Sequence, residues 1–222
     1  MVTPRKVTGP PARGLPDFTF ETRALAAGRM RVVGVDEVGR GPLAGPVTAA
    51  AVRLDPKRIP EGLNDSKRLS AKRRAVLAKE LHASAEVSVV HVGVADIDRL
   101  NILGAAHLAM IRAVAGLGHG PDWALVDGIY LPKDLPCDGE TVVRGDGKVA
   151  SIAAASIVAK VARDALMAEL AAQHPEYGWT QNAGYPTPAH LAALERHGVT
   201  PYHRSSFRPV HNILCRDTSV RS

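Results

Sequence analysis

Cysteine is scarce in this sequence: Cys137 and Cys215 are the two among 222 residues. They lie far apart and neither belongs to a CxxC pair, which argues against a disulfide framework or a thiolate zinc site. Long apolar runs are also missing, because those at 153–155 and 157–159 are far shorter than the ~20 apolar residues that cross a bilayer. The opening residues have no apolar stretch behind their basic positions, as a secretion signal would. We therefore expect a soluble, cytoplasmic protein with reduced thiols and no membrane association.

The composition fits one globular domain. A chain of 222 residues, 45% of them hydrophobic, can bury most of the surface that its unfolded form exposes. The formal net charge of +6 suits a polyanionic partner, although a modest basic excess is also common in proteins that never bind nucleic acid. Proline and glycine crowd the first residues. We predict a flexible N-terminal arm at 1–20, a main domain at 21–210 that includes a helical C-terminal segment, and a tail at 211–222.

Hydrophobic patterning predicts an α/β domain. Two Val-rich runs, at 31–36 and 46–54, flank a loop that contains Gly and Pro, so they should pair as antiparallel strands. Later strands alternate with helices, which indicates a mixed sheet covered by helices on both faces. The further strands are predicted at 86–95, 123–126 and 141–143. The helices are predicted at 21–28, 71–81 with Ser70 as N-cap, 101–117, 148–173 and 189–197.

Acidic residues stand where predicted strands end. Asp36 and Glu37 close the first strand, Asp127 ends a later one, and Asp146 precedes the long helix. Consecutive residues of a regular strand face opposite sides, so we expect Glu37 to lie beyond the last regular residue, in a bend that the following glycines permit. Strand ends of an open α/β sheet are where ligand sites collect. Each acid alone has a structural alternative, since Asp before Gly commonly forms a turn and Asp146 could cap the helix.

Four carboxylates brought together would favour a bound metal. Like charges within a few ångströms cannot all stay ionised unaided, and a divalent cation would resolve the repulsion. Ligation by oxygen alone favours a hard ion such as Mg²⁺ or Mn²⁺. The acids therefore predict a metal site at the strand ends. This pattern does not by itself distinguish a nuclease from another enzyme that transfers phosphoryl groups with two metal ions.

Five sequence blocks resemble the ribonuclease HII family. They are VVGVDEVGRGPLAGPV from residue 32, NDSK from 64, VDG from 126, RGDGKVASIAAASIVAKVARD from 144 and GYPTPAHLAALERHGVTPYHRSSFRPV from 184. Their order and spacing follow the family over most of the chain, from residue 31 to 210. The resemblance implies a ribonuclease H-like mixed sheet flanked by helices, with a small helical C-terminal segment. It places the catalytic, metal-binding acids at Asp36, Glu37, Asp127 and Asp146.

The resemblance also implies a set of substrate contacts. A loop of Gly39, Arg40 and Gly41 would recognise the ribonucleotide, because glycine lets backbone amides approach a sugar closely and the 2′-hydroxyl separates RNA from DNA. Tyr185 would lie against the sugar of the following nucleotide, although a surface tyrosine that anchors a turn is the ordinary interpretation. The chain departs from the family at Gly147, where many relatives have Ser. Phosphate contacts are implied for Lys67, Lys148, Arg204 and Ser205, of which the last two could equally serve packing.

The implied activity is hydrolysis on the 5′ side of a ribonucleotide, leaving 3′-hydroxyl and 5′-phosphate ends. The substrates would be RNA/DNA hybrids and duplex DNA with embedded ribonucleotides, and two Mn²⁺ or Mg²⁺ ions would act in the site. We expect a monomer. One alternative is another nuclease or recombinase of the ribonuclease H-like superfamily, which would not require a ribose. A second is a catalytically silent duplex-binding module; the four acids argue against it, because buried carboxylates repel phosphate without metal.

Asp164 and three histidines are weaker candidates as metal ligands. Asp164 lies 18 positions after Asp146, about five helical turns, so the two cannot replace each other. We expect Asp164 to pair with Arg163 or Lys160 on the same helix. Three histidines lack the HxxxH or HxH spacing of a metal site and should be solvated or hydrogen-bonded structural residues. They are His190, His203 and His211.

Overall fold

The computed structural model describes residues 14–219, with side chains as far as residue 216. Most of the predicted N-terminal arm therefore lies outside the described residues, as does the end of the predicted tail. Where the arm meets the domain, Asp17 N donates to the Lys148 carbonyl at 3.1 Å, and Ala150 N donates to the Asp17 carbonyl at 2.8 Å. This tie fixes the chain beside the start of the long helix.

A mixed sheet lies at the centre of the described residues. Its strands are β1 (Val32–Val38), β2 (Val47–Arg53), β3 (Glu86–Val92), β4 (Trp123–Asp127) and β5 (Asp138–Val142). The order across the sheet is β3-β2-β1-β4-β5. β2 pairs antiparallel with both β1 and β3, whereas β1 with β4 and β4 with β5 are parallel pairs. The predicted fold class, an α/β domain with a mixed sheet, is confirmed.

Helices cover both faces of the sheet, as predicted. They are α1 (Thr19–Ala26), α2 (Ala71–Ser84), α3 (Val94–Ala115), α4 (Ala150–Gln173), α5 (Trp179–Asn182), α6 (Pro188–His197) and α7 (Arg208–Ser219). α3 packs on one face, and α2 and α4 pack on the other. The predicted cap of α2 is confirmed, because the Ser70 hydroxyl accepts a hydrogen bond from Arg73 N at 3.2 Å. Within residues 14–219, no helix combines the length and the apolar character needed to cross a membrane.

Small residues let the helices approach the sheet closely. On β2, Ala49 and Ala51 belong to the apolar cluster with α3, whereas Ala50 belongs to the cluster with α2 and α4. On β1, a β-carbon at Gly34 would lie 2.1 Å from the Ser151 carbonyl carbon, so this contact requires glycine. α4 is thereby held directly against the strand that carries the first pair of acids.

Two predicted element boundaries are wrong around α3. The strand predicted at 86–95 ends at Val92, because Gly93 already serves as the N-cap of α3. α3 then begins before the predicted residue 101. At Asn101 the backbone turns to φ 59, and the side-chain oxygen accepts hydrogen bonds from Leu103 N and Gly104 N at 2.9 and 3.1 Å. The predicted helix is therefore the second of two segments, which Asn101 caps anew.

The C-terminal segment has its own apolar cluster. Tyr177 and Trp179 stack at its centre, with ring centroids 5.1 Å apart. Leu43, from the loop between β1 and β2, also belongs to this cluster, so the segment packs directly on that loop. Val210 and Ile213 add buried side chains from α7. The predicted boundary between domain and tail, at residue 211, thus falls inside a helix that helps to form the core.

Candidate active site

Three neighbouring strands end at one edge of the sheet, and each brings an acid there. β1 and β4 pair in parallel, and Asp36 and Asp127 directly follow paired residues of the two strands. After β5, a 3₁₀ turn at Gly145–Gly147 carries Asp146 to the start of α4. The charges of Glu37, Asp127 and Asp146 all act on the Asp36 carboxyl group. The structure therefore brings the four predicted acids into one neighbourhood.

Glu37 does not lie in a bend, as the sequence analysis expected. It remains in β1, opposite Ala49 of β2, because the antiparallel pairing continues through Val38. The turn begins only at Gly39, where φ is +93°. Asp36 and Glu37 therefore approach the site from opposite faces of the sheet, Asp36 from the side of α4 and Glu37 from the side of α3.

Burial and mutual repulsion act together on these carboxyl groups. Burial raises the pKa of Asp36 well above its usual range, and the charges of Glu37, Asp127 and Asp146 raise it further. Burial also raises the pKa of Glu37, against the opposing effect of the Arg40 cation. The pKa of Asp146 is raised by burial first and then by the Asp127 charge. The site thus holds more negative charge than its surroundings neutralise.

Two basic side chains balance part of this charge. Arg40 Nη1 lies 3.3 Å from Glu37 Oε1, and Lys67 Nζ lies 3.6 Å from Asp146 Oδ2. Both side chains are largely exposed to solvent, the Lys67 side chain to 81%. Each can therefore turn from its carboxylate to a phosphate without disturbing the core.

The acids fit a metal centre that completes its ligands with water and phosphate. Among the residues whose side chains are described, no three His, Cys, Asp or Glu side chains are grouped around one ion position. Mg²⁺ needs fewer, because it usually keeps waters and binds one or two carboxylates together with phosphate oxygens. Asp127 Oδ1 accepts a hydrogen bond from Gly145 N at 2.6 Å, which leaves Oδ2 available. A divalent cation would also relieve the repulsion that raises the pKa of Asp36.

The loop at 39–41 lies beside the acids. A β-carbon at Gly39 would lie 2.3 Å from Arg163 Nε, and the positive φ is a second reason why glycine is needed there. Leu43 N donates to the Gly184 carbonyl at 2.7 Å, which joins this loop to the segment that carries Tyr185. The predicted ribonucleotide loop and the predicted aromatic contact are therefore adjacent in the fold.

Arg204 and Ser205 have internal partners. The Arg204 guanidinium is fully buried and donates to carbonyls of the loop between β1 and β2. A guanidinium enclosed in this way cannot touch a phosphate, which corrects the predicted direct contact. Ser205 donates from N and Oγ to Asp98 of α3 at 3.0 and 2.7 Å. The packing interpretation, left open in the sequence, is favoured for both residues.

A basic cleft adjoins Asp146. Its cationic residues are Lys67, Arg68, Arg144 and Lys148. In this conformation Lys148 Nζ donates to the Val143 carbonyl at 2.6 Å, so phosphate contact would require its side chain to rotate. The sequence analysis named the two lysines and missed Arg68 and Arg144. The sequence could have indicated them only through their positions, because Arg68 directly follows the DSK block and Arg144 directly precedes GDGK.

An apolar cavity on the other side of the acids was also missed. Its lining includes Glu37 and Asp127, Met110 of α3, and Ile129 and Tyr130. Tyr130 is 60% exposed. An exposed aromatic ring beside a nucleic-acid site can stack on a base or sugar. The available signal was the apolar and aromatic pair that directly follows the VDG block.

Asp164 and the histidines have structural partners. Asp164 Oδ1 lies 2.7 Å from Lys160 Nζ, one of its two predicted partners. The prediction of Arg163 or Lys160 is thus confirmed through Lys160, while the guanidinium of Arg163 is buried and donates to backbone carbonyls. His190 and His203 are buried with their Nε2 atoms 3.2 Å apart, as hydrogen-bonded structural residues.

Comparison with known proteins gives one consistent family. A sequence profile described as ribonuclease HII matches residues 33–210, a range that includes all four acids. A ribonuclease HII from Cereibacter sphaeroides (strain KD131 / KCTC 12085) is 64% identical over 205 residues, covering 92% of this chain and 97% of the relative. One from Paracoccus denitrificans (strain Pd 1222) is 62% identical over 205 residues, covering 92% and 98%. The crystal structure of ribonuclease H2 from Pyrococcus horikoshii OT3 matches with TM-score 0.73 and 29% identity, covering 84% of this chain and 98% of that one.

Proposed function

The chain belongs to the ribonuclease HII family and is a ribonuclease H enzyme, and we propose that it hydrolyses the phosphodiester on the 5′ side of a ribonucleotide. Enzymes of this family cleave RNA in RNA/DNA hybrids. The proposed substrates are such hybrids and duplex DNA with embedded ribonucleotides, and the proposed products carry 3′-hydroxyl and 5′-phosphate ends. We further propose that it acts as a monomer in the cytoplasm.

The observation that carries this proposal is the cluster of acids at three adjacent strand ends. Asp36 is 5% exposed, and the burial that raises its pKa is reinforced by three other carboxylates. Such an arrangement costs stability in the absence of a cation and is a recurrent feature of functional sites. Its position beside an exposed, glycine-rich loop supports a substrate that carries both phosphate and sugar.

Asp36, Glu37, Asp127 and Asp146 would hold the Mn²⁺ or Mg²⁺ ions on which this family depends. The bound ions would supply an acidified attacking water and charge stabilisation at the departing 3′-oxygen. Asp36 is suited to a shared position, since the charges of all three other acids act on it. Gly145 N orients Asp127 through its hydrogen bond to Oδ1.

Ribonucleotide recognition is assigned to the loop at 39–41 and to Tyr185. The backbone amides of this loop can approach a ribose, and a site that hydrogen-bonds a hydroxyl strongly disfavours an analogue that lacks it. The Tyr185 ring, 42% exposed, can rest on the sugar that follows the scissile phosphate. The ring and the loop would together read one ribonucleotide and its neighbour.

Basic side chains around the acids would hold the strand. Lys67 and Arg40 are paired with the acids in the free protein and would transfer to phosphate when cations reach the carboxylates. Lys148, Arg68 and Arg144 line the same cleft as Lys67 and extend the positive surface. These contacts position the duplex without reading its sequence.

A pair of labelled duplexes tests the proposal. One contains a single ribonucleotide within DNA, and the other is the same sequence entirely in DNA. We expect cleavage in Mn²⁺ or Mg²⁺ of the first duplex alone, at the bond 5′ to the ribonucleotide, with product ends that a ligase and a phosphatase can identify. Equal cleavage of both duplexes would instead support a nuclease that does not require a ribose.

A further inference from the structure

Two arginines lie in the interior without an acidic partner. Arg163 of α4 and Arg204 are both 0% exposed. Buried arginines are rare and are usually paired with carboxylates, because a charge taken out of water loses its hydration. Neither forms a salt bridge with any acidic side chain of the described residues. The charges of Asp164 and Asp98 act on them without forming an ion pair, so two adjacent cations in the core require another source of stabilisation.

That stabilisation comes from backbone carbonyls of the loop between β1 and β2. Arg204 Nη2 donates to the Gly39 carbonyl at 2.7 Å, and Nη1 donates to the Arg40 carbonyl at 3.1 Å. Arg204 Nε and Nη2 also donate to the Gly45 carbonyl at 3.0 and 2.9 Å. One guanidinium thus holds both ends of the loop that contains the proposed ribonucleotide contacts.

Arg163 also donates hydrogen bonds to carbonyls of this loop. Its Nε donates to the Pro46 carbonyl at 2.9 Å, and Nη2 donates to the Ala44 carbonyl at 3.2 Å. Its Nη1 donates to the Ala183 carbonyl at 3.0 Å. Ala183 has a left-handed φ of 49° and lies two residues before Tyr185. Arg163 therefore fixes the loop and the tyrosine segment to each other.

The hydrogen bonds from Arg204 also determine the direction of the N–H groups in the loop. In a trans peptide the carbonyl and the following N–H point in opposite directions. Since the carbonyls of Gly39 and Arg40 face Arg204 in the interior, the N–H groups of Arg40 and Gly41 face away from it, and both residues are exposed. Within the described part of the chain neither N–H has a hydrogen-bond acceptor. Two adjacent free donors are therefore presented beside the acids.

We propose that Arg163 and Arg204 are positioning residues for ribonucleotide recognition. Arg204 orients the peptide planes of residues 39–41 so that the Arg40 and Gly41 amides face the ribose 2′-hydroxyl. Arg163 holds the other end of the loop against the segment that carries Tyr185. This inference rests on the proposed function. It assigns the specificity of the loop to two side chains that never touch the substrate. Lysine cannot replace either, because a single ammonium group cannot reproduce a planar fork that donates to several carbonyls.

Amide exchange in the unmodified protein gives the first test. In ¹⁵N-labelled protein without substrate, we expect the Arg40 and Gly41 amides to exchange rapidly with solvent. Two other amides of the same loop, those of Leu43 and Gly45, donate to the carbonyls of Gly184 and Tyr202 and should be protected. Protection of Arg40 and Gly41 in the free protein would overturn the proposal, because the donors would then already be occupied.

The second test uses Arg204→Lys and two substrates. We expect kcat/KM on a duplex with one ribonucleotide to fall roughly tenfold or more, as for a lost hydrogen bond to the reacting nucleotide. The Kd for an all-DNA duplex, which depends on phosphate contacts elsewhere, should stay within about twofold. Equal losses on the two substrates, or no loss on either, would refute the positioning role. Circular dichroism establishes whether the variant is folded. If it is not folded, the amide exchange of the unmodified protein tests the proposal instead.

A matched control separates this effect from a general loss of an arginine. Arg53 lies on β2 and forms an ion pair with Glu86, away from the loop. Arg53→Lys should leave both kcat/KM and Kd unchanged within error. Failure of the wild-type protein to prefer the ribonucleotide duplex would instead count against the proposed function itself, so the two failures are distinguishable.

Discussion

The Tyr185 ring lies directly over Gly41, so that a β-carbon at Gly41 would be only 3.2 Å from Cε1 of the ring. This contact joins two chain segments that the sequence separates by more than a hundred residues. It makes the glycine loop and the tyrosine one continuous surface beside the acids. A change at one position should therefore be felt at the other.

Gly41→Ala should displace the ring. The added methyl group is closer to the ring than ordinary van der Waals contact allows, so the tyrosine must move by a few tenths of an ångström. We expect kcat/KM on the single-ribonucleotide duplex to fall about tenfold, since small misplacements of positioning groups have large kinetic effects. Gly120→Ala is the control, because no atom lies within 4 Å of its β-carbon position.

A double-mutant cycle identifies the route of the Gly41 effect. If the methyl acts through the ring, Gly41→Ala should cost less in a Tyr185→Ala background than in the wild type. Strict additivity of the two changes would show that the methyl interferes with substrate directly and that the ring contact is incidental.

Tyr185→Ala should impair cleavage at a ribonucleotide-to-deoxyribonucleotide junction more than cleavage of continuous RNA. A deoxyribose offers an apolar surface to the ring, whereas a 2′-hydroxyl makes that surface polar. By analogy with aromatic stacking on bases, the loss should be ~1–3 kcal/mol, which is about tenfold to a hundredfold in kcat/KM. Tyr185→Phe should lose much less. The ratio of kcat/KM for one embedded ribonucleotide to that for a hybrid measures the effect, and an unchanged ratio in Tyr185→Ala would contradict it.

Asp36→Asn should stabilise the metal-free protein while destroying its activity. Burial and neighbouring carboxylates raise the pKa of Asp36 in the folded state. The folded protein is therefore stabilised by this group at low pH, and it loses that free energy as the pH rises through the raised pKa. An asparagine carries no charge, so it avoids the loss of folding stability that ionised Asp36 causes near neutral pH. We expect Tm in chelator to rise by about 2–4 °C for each kcal/mol gained.

Added metal ions should make the wild type more stable than Asp36→Asn, the reverse of the order expected in chelator. Added Mn²⁺ should raise Tm of the wild type, because a ligand that binds only the folded state stabilises it, and should raise Tm of Asp36→Asn much less. Asp134→Asn, at an exposed loop position, serves as the control. A lower Tm for Asp36→Asn than for the wild type in chelator would contradict the interpretation of charge repulsion.

The pair of buried histidines should make the fold sensitive to acid. His203 Nδ1 accepts from Thr200 N at 3.1 Å, and His190 Nε2 accepts from Trp179 Nε1 at 3.1 Å, so both rings are neutral. Burial, together with the neighbouring His190, lowers the pKa of His203 to about 4. Because this value lies below that of an unfolded histidine, stability is present above pH ~6.5 and is lost as pH falls towards 4.

Denaturant unfolding at several pH values measures this loss. Between pH ~6.5 and ~4, the free energy of unfolding should fall by about 2–3 kcal/mol more in the wild type than in His203→Gln, because the glutamine at position 203 does not titrate. His119→Gln, at an exposed position, should behave as the wild type does. Parallel pH profiles for wild type and His203→Gln would rule out the buried pair as the cause.

Much of the fold could be predicted because it depends on patterns among residues that are close together in the sequence. The nearly continuous runs of small apolar residues in β1 and β2, and the hydroxyl cap at Ser70, depend on neighbours along the chain. The position of Asp127 at the end of β4 follows from the same pattern, whereas Asp36, predicted as the last residue of its strand, lies two residues before the end of β1. These features needed no knowledge of distant contacts.

The remaining features depend on contacts between distant segments. Glu37 stays in its strand because β2 continues to pair with it, and no local signal reports how far that pairing extends. Arg204 reads as a surface cation in the sequence, yet carbonyls of residues far along the chain surround it. For the same reason, Arg163 was one of the two alternative partners predicted for Asp164 on their helix. A long side chain has one local pattern whether it faces solvent or a distant loop.

The most direct measurement of the central claim is single-turnover cleavage of a duplex with one ribonucleotide, in Mn²⁺, by the wild type and four variants. The variants are Asp36→Asn, Glu37→Gln, Asp127→Asn and Asp146→Asn. If the four strand-end acids form one metal-dependent site, the wild type cuts once, 5′ to the ribonucleotide, and each folded variant is slower by about three orders of magnitude. Near wild-type turnover at low metal concentration by any one folded variant would contradict the claim for that acid.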